Sequence, residues 1–417
     1  MKKLRRMKDV VVLAFSGGLD TSVSIKWLQE KQGVDVVTAT VDVGQGDDLK
    51  QIEENAYKIG VKKHYNIDAK AEFVNDYIFP SIKANGLYEG KYPLATALAR
   101  PLIAAKLVEI AEKEGASAVS HGCTGKGNDQ VRFDVTIKAL NPSLKIIAPV
   151  REWNLSREEE IKYAQKHGIP IKVKKSIYSI DQNVWGRSIE SGPLEDPDNE
   201  PSSDVLEWTK PIDETPDEPQ YVSIEFKNGV PVSINGKSGN PVQMIDSLNK
   251  IAGEHGVGFI DHMEDRVVGI KSRETYEAPA AVTIIEAHKD LEKLVLTRHE
   301  LAVKSRIEQE WAWLVYSGLW VEPLIDALNA FIDATQKRVN GKVRVKLYKG
   351  SARVVGRSSP DSLYSLKLAT YSSASDFNQT SAEGFIELWG LPSRVARSKE
   401  AKKGGHTKRR AIIRSRT

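Results

Sequence analysis

The stretch Ala14-Phe15-Ser16-Gly17-Gly18-Leu19-Asp20-Thr21-Ser22 constrains this chain more than any other. It follows the apolar, β-branched run Val10 to Leu13 and precedes a segment in which Val23, Trp27 and Leu28 recur at helical spacing. The order strand, glycine turn, helix puts the turn at a helix N-terminus, where unpaired N–H groups and the positive end of the helix dipole favour an anion. Gly17 and Gly18 permit close backbone approach, and Ser16, Thr21 and Ser22 add hydroxyl donors. An ordinary βα turn needs the glycines but not the hydroxyls. The composition therefore points to a loop that holds a polyphosphate.

No Lys follows the glycines as in G-x-x-x-x-G-K-[ST], and G-x-G-x-x-G is absent. Ser-Gly-Gly-Leu-Asp-Thr-Ser instead resembles the pyrophosphate loop of the ATP pyrophosphatase superfamily. That resemblance implies an adenine nucleotide alpha hydrolase-like fold and cleavage of ATP between the α- and β-phosphates, which adenylates the substrate.

The first half alternates strand and helix. Strands are expected at Val34 to Asp42, Lys63 to Ile67, Ala118 to Ser120 and Lys145 to Val150. Helices are marked by Leu49 to Ile59, closed by Gly60, by Phe73 to Ile78, and by Leu98 to Ile110, which Pro101 must kink or begin. This predicts an α/β fold with a doubly wound parallel sheet, whose ligands bind outside the carboxyl ends of the strands. Three loops follow strands there: Ser16 to Ser22, Gly44-Gln45-Gly46, and Ser120 to Arg132. The third packs glycines, Lys126, Asn128, Asp129 and Arg132 together, a density of charge that no core needs and that suits a zwitterionic ligand.

With both loops read, the chain resembles the argininosuccinate synthase family over nearly its whole length. Further matching stretches are Lys91 to Pro101, Ser179 to Ser188, and His255 through Glu264-Asp265-Arg266 to Tyr276-Glu277-Ala278-Pro279. The resemblance implies ligation of citrulline and aspartate through a citrullyl-adenylate, with ATP as substrate and Mg²⁺ on the phosphates. It further implies that Ala14, Phe15, Ser16, Gly17, Gly18, Leu19, Asp20, Thr21, Ser22, Val41 and Gly122 contact ATP, and that Thr124, Asn128 and Asp129 hold aspartate. Citrulline would lie against Tyr92, Ala97, Asn128, Arg132, Ser179, Ser188, Glu264 and Tyr276, with Ser16, Asp20 and Asp129 as the catalytic set. Ala97 and Val41 depart from the commoner serine and alanine. On this allocation Asp129→Ala raises the aspartate requirement while citrulline still drives exchange of pyrophosphate into ATP.

In the second half, Ser156-Arg157-Glu158-Glu159 opens a helix as a capping box, and the nucleotide domain is expected to span 1–170. Residues 192–219, rich in Pro, Asp and Glu, read as an extended connection. Asn228-Gly229 between alternating segments signals a hairpin, and helices at 244–252, 282–294, 300–316 and 323–338 precede a second hairpin at 342–356. This makes 171–375 an α+β substrate domain. Trp311, Trp313 and Trp320 are read as core or subunit contact rather than a base-stacking platform. The apolar stretch around Phe385, Ile386, Leu388 and Trp389 suggests an oligomerisation helix over 376–400, as in a homotetramer.

The formal charge of +4 is misleading about partners, because residues 401–417 carry seven Lys or Arg and no acid. The body is then near neutral, unlike an enzyme with a basic groove for nucleic acid, and the tail reads as disordered. A single cysteine, Cys123, excludes an internal disulfide, and no stretch spans a membrane, so a cytoplasmic protein is expected. No G-x-S-x-G elbow and no spaced His/Cys set occurs, which leaves no expected covalent nucleophile and no protein metal site. Two rival readings are another ATP pyrophosphatase, such as a tRNA-modifying enzyme or an amidotransferase-type synthetase, and a silent nucleotide sensor. The first calls for catalytic cysteines, a glutaminase domain or a basic groove; the second should lack the dense third loop.

Overall fold

The computed structural model describes residues 9–153, 155–170, 177–372 and 375–403. The expected domain boundary near 170 borders undescribed residues, and most of the expected tail, 404–417, lies outside the described ones.

The first sheet has strands β1 Val10–Ala14, β2 Asp35–Asp42, β3 Lys63–Asp68, β4 Ala118–Ser120 and β5 Lys145–Ile147. Their order is β3-β2-β1-β4-β5, with all pairings parallel. Along β1, Val11 and Leu13 enter one core, with Val23 and Ile25, while Val10 and Val12 enter another, with Leu107 and Ile137. This period-two division buries both faces of the sheet, as parallel sheets require. Chain order reverses between β1 and β4, so the loops after these neighbouring strands flank the switch point where such sheets bind ligands.

Several elements depart from expectation. The long helix begins at Ala95, not at Pro101, and runs to Glu114 with the proline inside it. The fifth strand stops at Ile147, and Pro149–Trp153 is helical because Pro149 suits a first helical turn. Period reading missed two hairpins, β6 Ser179–Asn183 with β7 Gly186–Glu190, and β10 Phe259–Asp265 with β11 Lys271–Glu277. They form one antiparallel sheet in the order β10-β11-β7-β6.

The expected hairpins are present as β8 Gln220–Lys227 with β9 Val230–Ile234, and β12 Gly341–Tyr348 with β13 Ser351–Ser358. Asn228 and Gly229 both have positive φ, as the first turn demands. Helices Pro241–Glu254 and Pro279–Val295 contribute to the core beside this sheet. That core also takes in Phe73, Leu98 and Trp185, so residues to 363 form one compact unit.

From Tyr364 onward the chain forms a second unit. Where one helix was expected there are two, Ser381–Trp389 and Leu391–Lys403, separated at Gly390.

Candidate active site

The phosphate-type loop has the geometry its sequence demands. Gly17 has φ +73, and Gly18 is extended before the helix Leu19–Trp27. Ser22 N–H donates to Gly18 O at 3.0 Å, the first helical bond. Ser16 Oγ accepts Gly18 N–H at 3.4 Å and lies 3.3 Å from Thr21 Oγ1, so the hydroxyls brace the turn. Ser16, Gly18 and Asp20 are exposed, whereas Phe15 and Ser22 are buried. Phe15 has its own backbone engaged: its N–H donates to Ala39 O and its carbonyl accepts from Thr40 Oγ1. Val41 is buried at the end of β2, its carbonyl accepting from Gln45 Nε2 at 3.0 Å.

The loop after β4 closes directly onto this turn. A Cβ on Gly122 would stand 3.1 Å from Thr21 Cγ2 and 3.8 Å from Asp20 Cβ, so glycine is what allows the approach. His121 is fixed by accepting Cys123 N–H at Nδ1 and donating from Nε2 to Asp134 at 2.7 Å. Burial, together with the charge of Asp129, pushes the Cys123 thiol up, which keeps it protonated and unreactive. Thr124 is exposed, and Asn128 opens the helix Asp129–Leu140.

Beyond Asn128 a polar chain runs through several elements. Asp129 accepts from Arg100 Nε and from Arg132 Nη1, each at 2.8 Å, and Arg100 also pairs with Asp181. Burial opposes ionisation of Asp129, but the two guanidinium groups outweigh it and hold the carboxyl below its ordinary value. Arg132 donates from Nε and Nη2 to Tyr316 O at 3.1 and 2.9 Å. Three of its five N–H groups are thus engaged and two remain for a ligand.

Glu264, buried, accepts from Tyr276 at 2.7 Å and from Tyr316 at 2.6 Å, one hydroxyl on each oxygen. Burial and the Glu264 charge push Tyr276 well above its ordinary value, and burial pushes Tyr92 up to about 12, so both phenols stay protonated. Tyr92 stacks on Tyr276 with ring centroids 4.3 Å apart, and its hydroxyl accepts Thr96 N–H at 2.9 Å. Ala97, fully buried, offers its N–H to the same hydroxyl at 3.4 Å. Ser188 lies opposite Tyr276 in the ladder, 3.0 Å from Thr96 Oγ1; Ser179 is exposed at the start of β6.

Sequence reading did not single out Thr96, Arg100, Asp181 or Tyr316. Arg100 and Thr96 lie within Lys91–Pro101 on one helix face, a spacing of four that was a usable signal. Tyr316 ends a helix read as ordinary amphipathic core, and nothing local marks it. The β6–β7 hairpin positions these groups: Asn183 Nδ2 donates to Ala95 O and Trp185 Nε1 to Pro93 O, each at 2.9 Å. Its turn also pins loop two, where a Cβ on Gly44 would meet Val184 at 2.4 Å.

One further carboxyl adjoins the phosphate-type loop. Glu160, buried on the helix Arg157–Lys166, hydrogen-bonds Asp20. Burial, then Asp20, push it up to about 8, while Arg157 pulls the other way. Because its folded value is raised, the folded chain keeps a proton that the unfolded chain releases near the free value of about 4.3. The associated stability is full below that value and declines as pH rises through about 8. Glu160→Gln should therefore lose less melting temperature than the parent between about pH 6 and about pH 9. Equal losses would mean that Glu160 is ionised throughout.

Glycine-turn loop, parallel sheet and switch-point cleft together define a HUP-type nucleotide-binding architecture, and residues 10–170 match the family model described as arginosuccinate synthase N-terminal HUP domain. Residues 178–396 match the arginosuccinate synthase C-terminal domain. The chain belongs to the argininosuccinate synthase family. Proteins named argininosuccinate synthase from Pyrococcus furiosus, Geobacillus thermodenitrificans and Synechococcus elongatus are 61%, 60% and 59% identical to it. These alignments cover 93%, 92% and 92% of this chain and 94%, 95% and 97% of the relatives.

Proposed function

We propose that this chain ligates citrulline to aspartate with ATP, passing through a citrullyl-adenylate and releasing AMP and pyrophosphate, as a step of arginine biosynthesis. The observation that carries this reading is the closure of Gly122 onto Thr21 and Asp20, which joins the phosphate-type loop to the Asn128–Arg132–Glu264 chain. ATP's phosphates lie on the N–H groups and hydroxyls of Ser16 to Ser22. Mg²⁺ would neutralise phosphate charge, and exposed Asp20 fits it; magnesium commonly keeps waters and takes one or two protein carboxylates.

Citrulline's carboxylate takes the two N–H groups left on Arg132, and its ammonium faces Glu264 with the hydroxyls of Ser179 and Ser188. Tyr92 and Tyr276 wall its aliphatic stem. Thr124, Asn128 and Asp129 with its arginine partners receive aspartate. The ureido oxygen attacks the α-phosphorus, and aspartate's amine then displaces AMP. The protein contributes alignment and charge stabilisation rather than a covalent nucleophile.

Incubation with ATP, citrulline and aspartate should yield AMP and pyrophosphate only when citrulline is present, and Ser16→Ala or Asp20→Ala should cripple this. ADP with phosphate as products would overturn the reading.

The assembly we read is a cytoplasmic homotetramer without nucleic-acid or membrane partners; no described helix is long and apolar enough to cross a membrane. Phe385, Ile386, Leu388 and Trp389 are 54% to 71% exposed, an apolar surface suited to a second copy. Truncation before Ser381 should dissociate the oligomer in light scattering, whereas loss of 401–417 should not; identical masses for the two would defeat this division.

A further inference from the structure

Resting on the proposed activity, we infer that Tyr316 is a positioning residue that ties the citrulline pocket to the aspartate loop. It ends the helix Arg298–Tyr316 and is fully buried. Its hydroxyl donates to Glu264 Oε1 at 2.6 Å and accepts from Asn128 Nδ2 at 2.8 Å. Its carbonyl takes Nε and Nη2 of Arg132. One residue thus holds three groups that the proposed reaction assigns to its two amino acids, drawn from the loop after β4, from the helix it opens and from β10.

The arrangement is more than a satisfied core tyrosine. Asn128 Oδ1 also accepts Val267 N–H at 2.9 Å, so this amide is clamped between Tyr316 and the turn that follows Glu264. Because Tyr276 holds the other oxygen of Glu264, the Tyr316 hydroxyl completes the grip that sets the carboxylate plane. The Tyr316 ring is fixed by stacking on Tyr88 with centroids 3.5 Å apart and lies 5.2 Å from the Arg132 guanidinium. Two residues on, Gly318 has φ +82, and a Cβ there would stand 2.9 Å from Arg132 Cα. The turn after the helix and the Arg132 backbone are therefore in direct contact.

Tyr316→Phe removes the hydroxyl but keeps the ring stack and the carbonyl that receives Arg132. Glu264 loses a donor and Asn128 an acceptor inside a buried cluster, where an unmet partner is costly. The KM values for citrulline and for aspartate should each rise about tenfold or more, with the KM for ATP within about twofold. Tyr88→Phe is the control, because Tyr88 shares the stack but its hydroxyl donates to Asp265 O at 2.8 Å. It should leave all three KM values within about twofold of the parent.

A rise for both amino acids in Tyr316→Phe alone supports the inference. A rise for only one, or equal effects in the two variants, overturns it. So do unchanged KM values in Tyr316→Phe when the parent enzyme shows citrulline-dependent pyrophosphate release. Absence of that release in the parent defeats the proposed activity itself and this inference with it, so the two failures are distinguishable.

Discussion

Asp129→Ala should cost the enzyme both half-reactions, lowering citrulline-dependent exchange of pyrophosphate into ATP several hundredfold as well as raising the aspartate requirement. As a lone aspartate ligand, Asp129 could be removed without harm to adenylation. The structure gives it a second duty, because its oxygens separate and neutralise the guanidinium groups of Arg100 and Arg132, each 2.8 Å away. Arg132 is 4% exposed, and without Asp129 the acceptor left to it among the described residues is the Tyr316 carbonyl, while Arg100 keeps Asp181. Breaking a buried pair by removing one partner costs about 3 to 5 kcal/mol, or some hundreds to thousands in the step that depends on it. The proposed citrulline pocket depends on Arg132. Exchange that survives in Asp129→Ala, with only the aspartate requirement raised, would show that Arg132 keeps its pose without this carboxylate.

The difference between these two expectations measures what the sequence could not carry. The strand, glycine turn and helix at Ala14 to Ser22 were legible because each is specified locally, by β-branching, by positive φ and by the spacing of Val23 and Trp27. So were Asn228-Gly229 and the capping box, in which Ser156 Oγ and Glu159 exchange bonds with each other's N–H. Hairpins β6–β7 and β10–β11 were not. Their strands carry Asp181, Glu190, Glu264 and Glu274 on one face and the buried Arg187, paired with Glu277, on the other, and these charges erase the apolar alternation that marks a strand. The residues that make the site also hide its scaffold. Partnerships such as Arg100 with Asp129 and Asp181, or Tyr316 with Asn128 and Glu264, link positions 29 to 188 residues apart and follow from topology alone. In the same way, Pro101 read as either a kink or a helix start because its missing N–H acts locally, and packing of Leu98 and Leu102 in the core goes with a helix that runs through it.

Glu277 brings that argument to stability. Fully buried at the end of β11, it faces Arg187 of β7 in the ladder and accepts its Nη1 at 2.6 Å. Its oxygens also accept the N–H groups of Glu207, Trp208 and Thr209 at 2.8 to 3.1 Å and the Thr209 hydroxyl at 2.8 Å. A single carboxylate thereby satisfies three successive amides of the segment expected to be an extended connection. It does so one residue from Tyr276 and its ladder partner Ser188. Glu277→Ala leaves these donors unmet and Arg187 buried with, among the described residues, Val205 O and the exposed Glu207 as its acceptors. The cost should be about 3 to 5 kcal/mol, since an uncompensated buried charge is the dominant loss. Glu277→Gln should recover little of it, because its amide hydrogens face other donors while its one oxygen cannot serve them all. In hydrogen exchange, amides 207–209 should lose protection by at least about a hundredfold, and the chain should melt earlier. Protection equal to the parent at those amides would mean that they are held by packing of Val205 and Leu206, and that the carboxylate is dispensable.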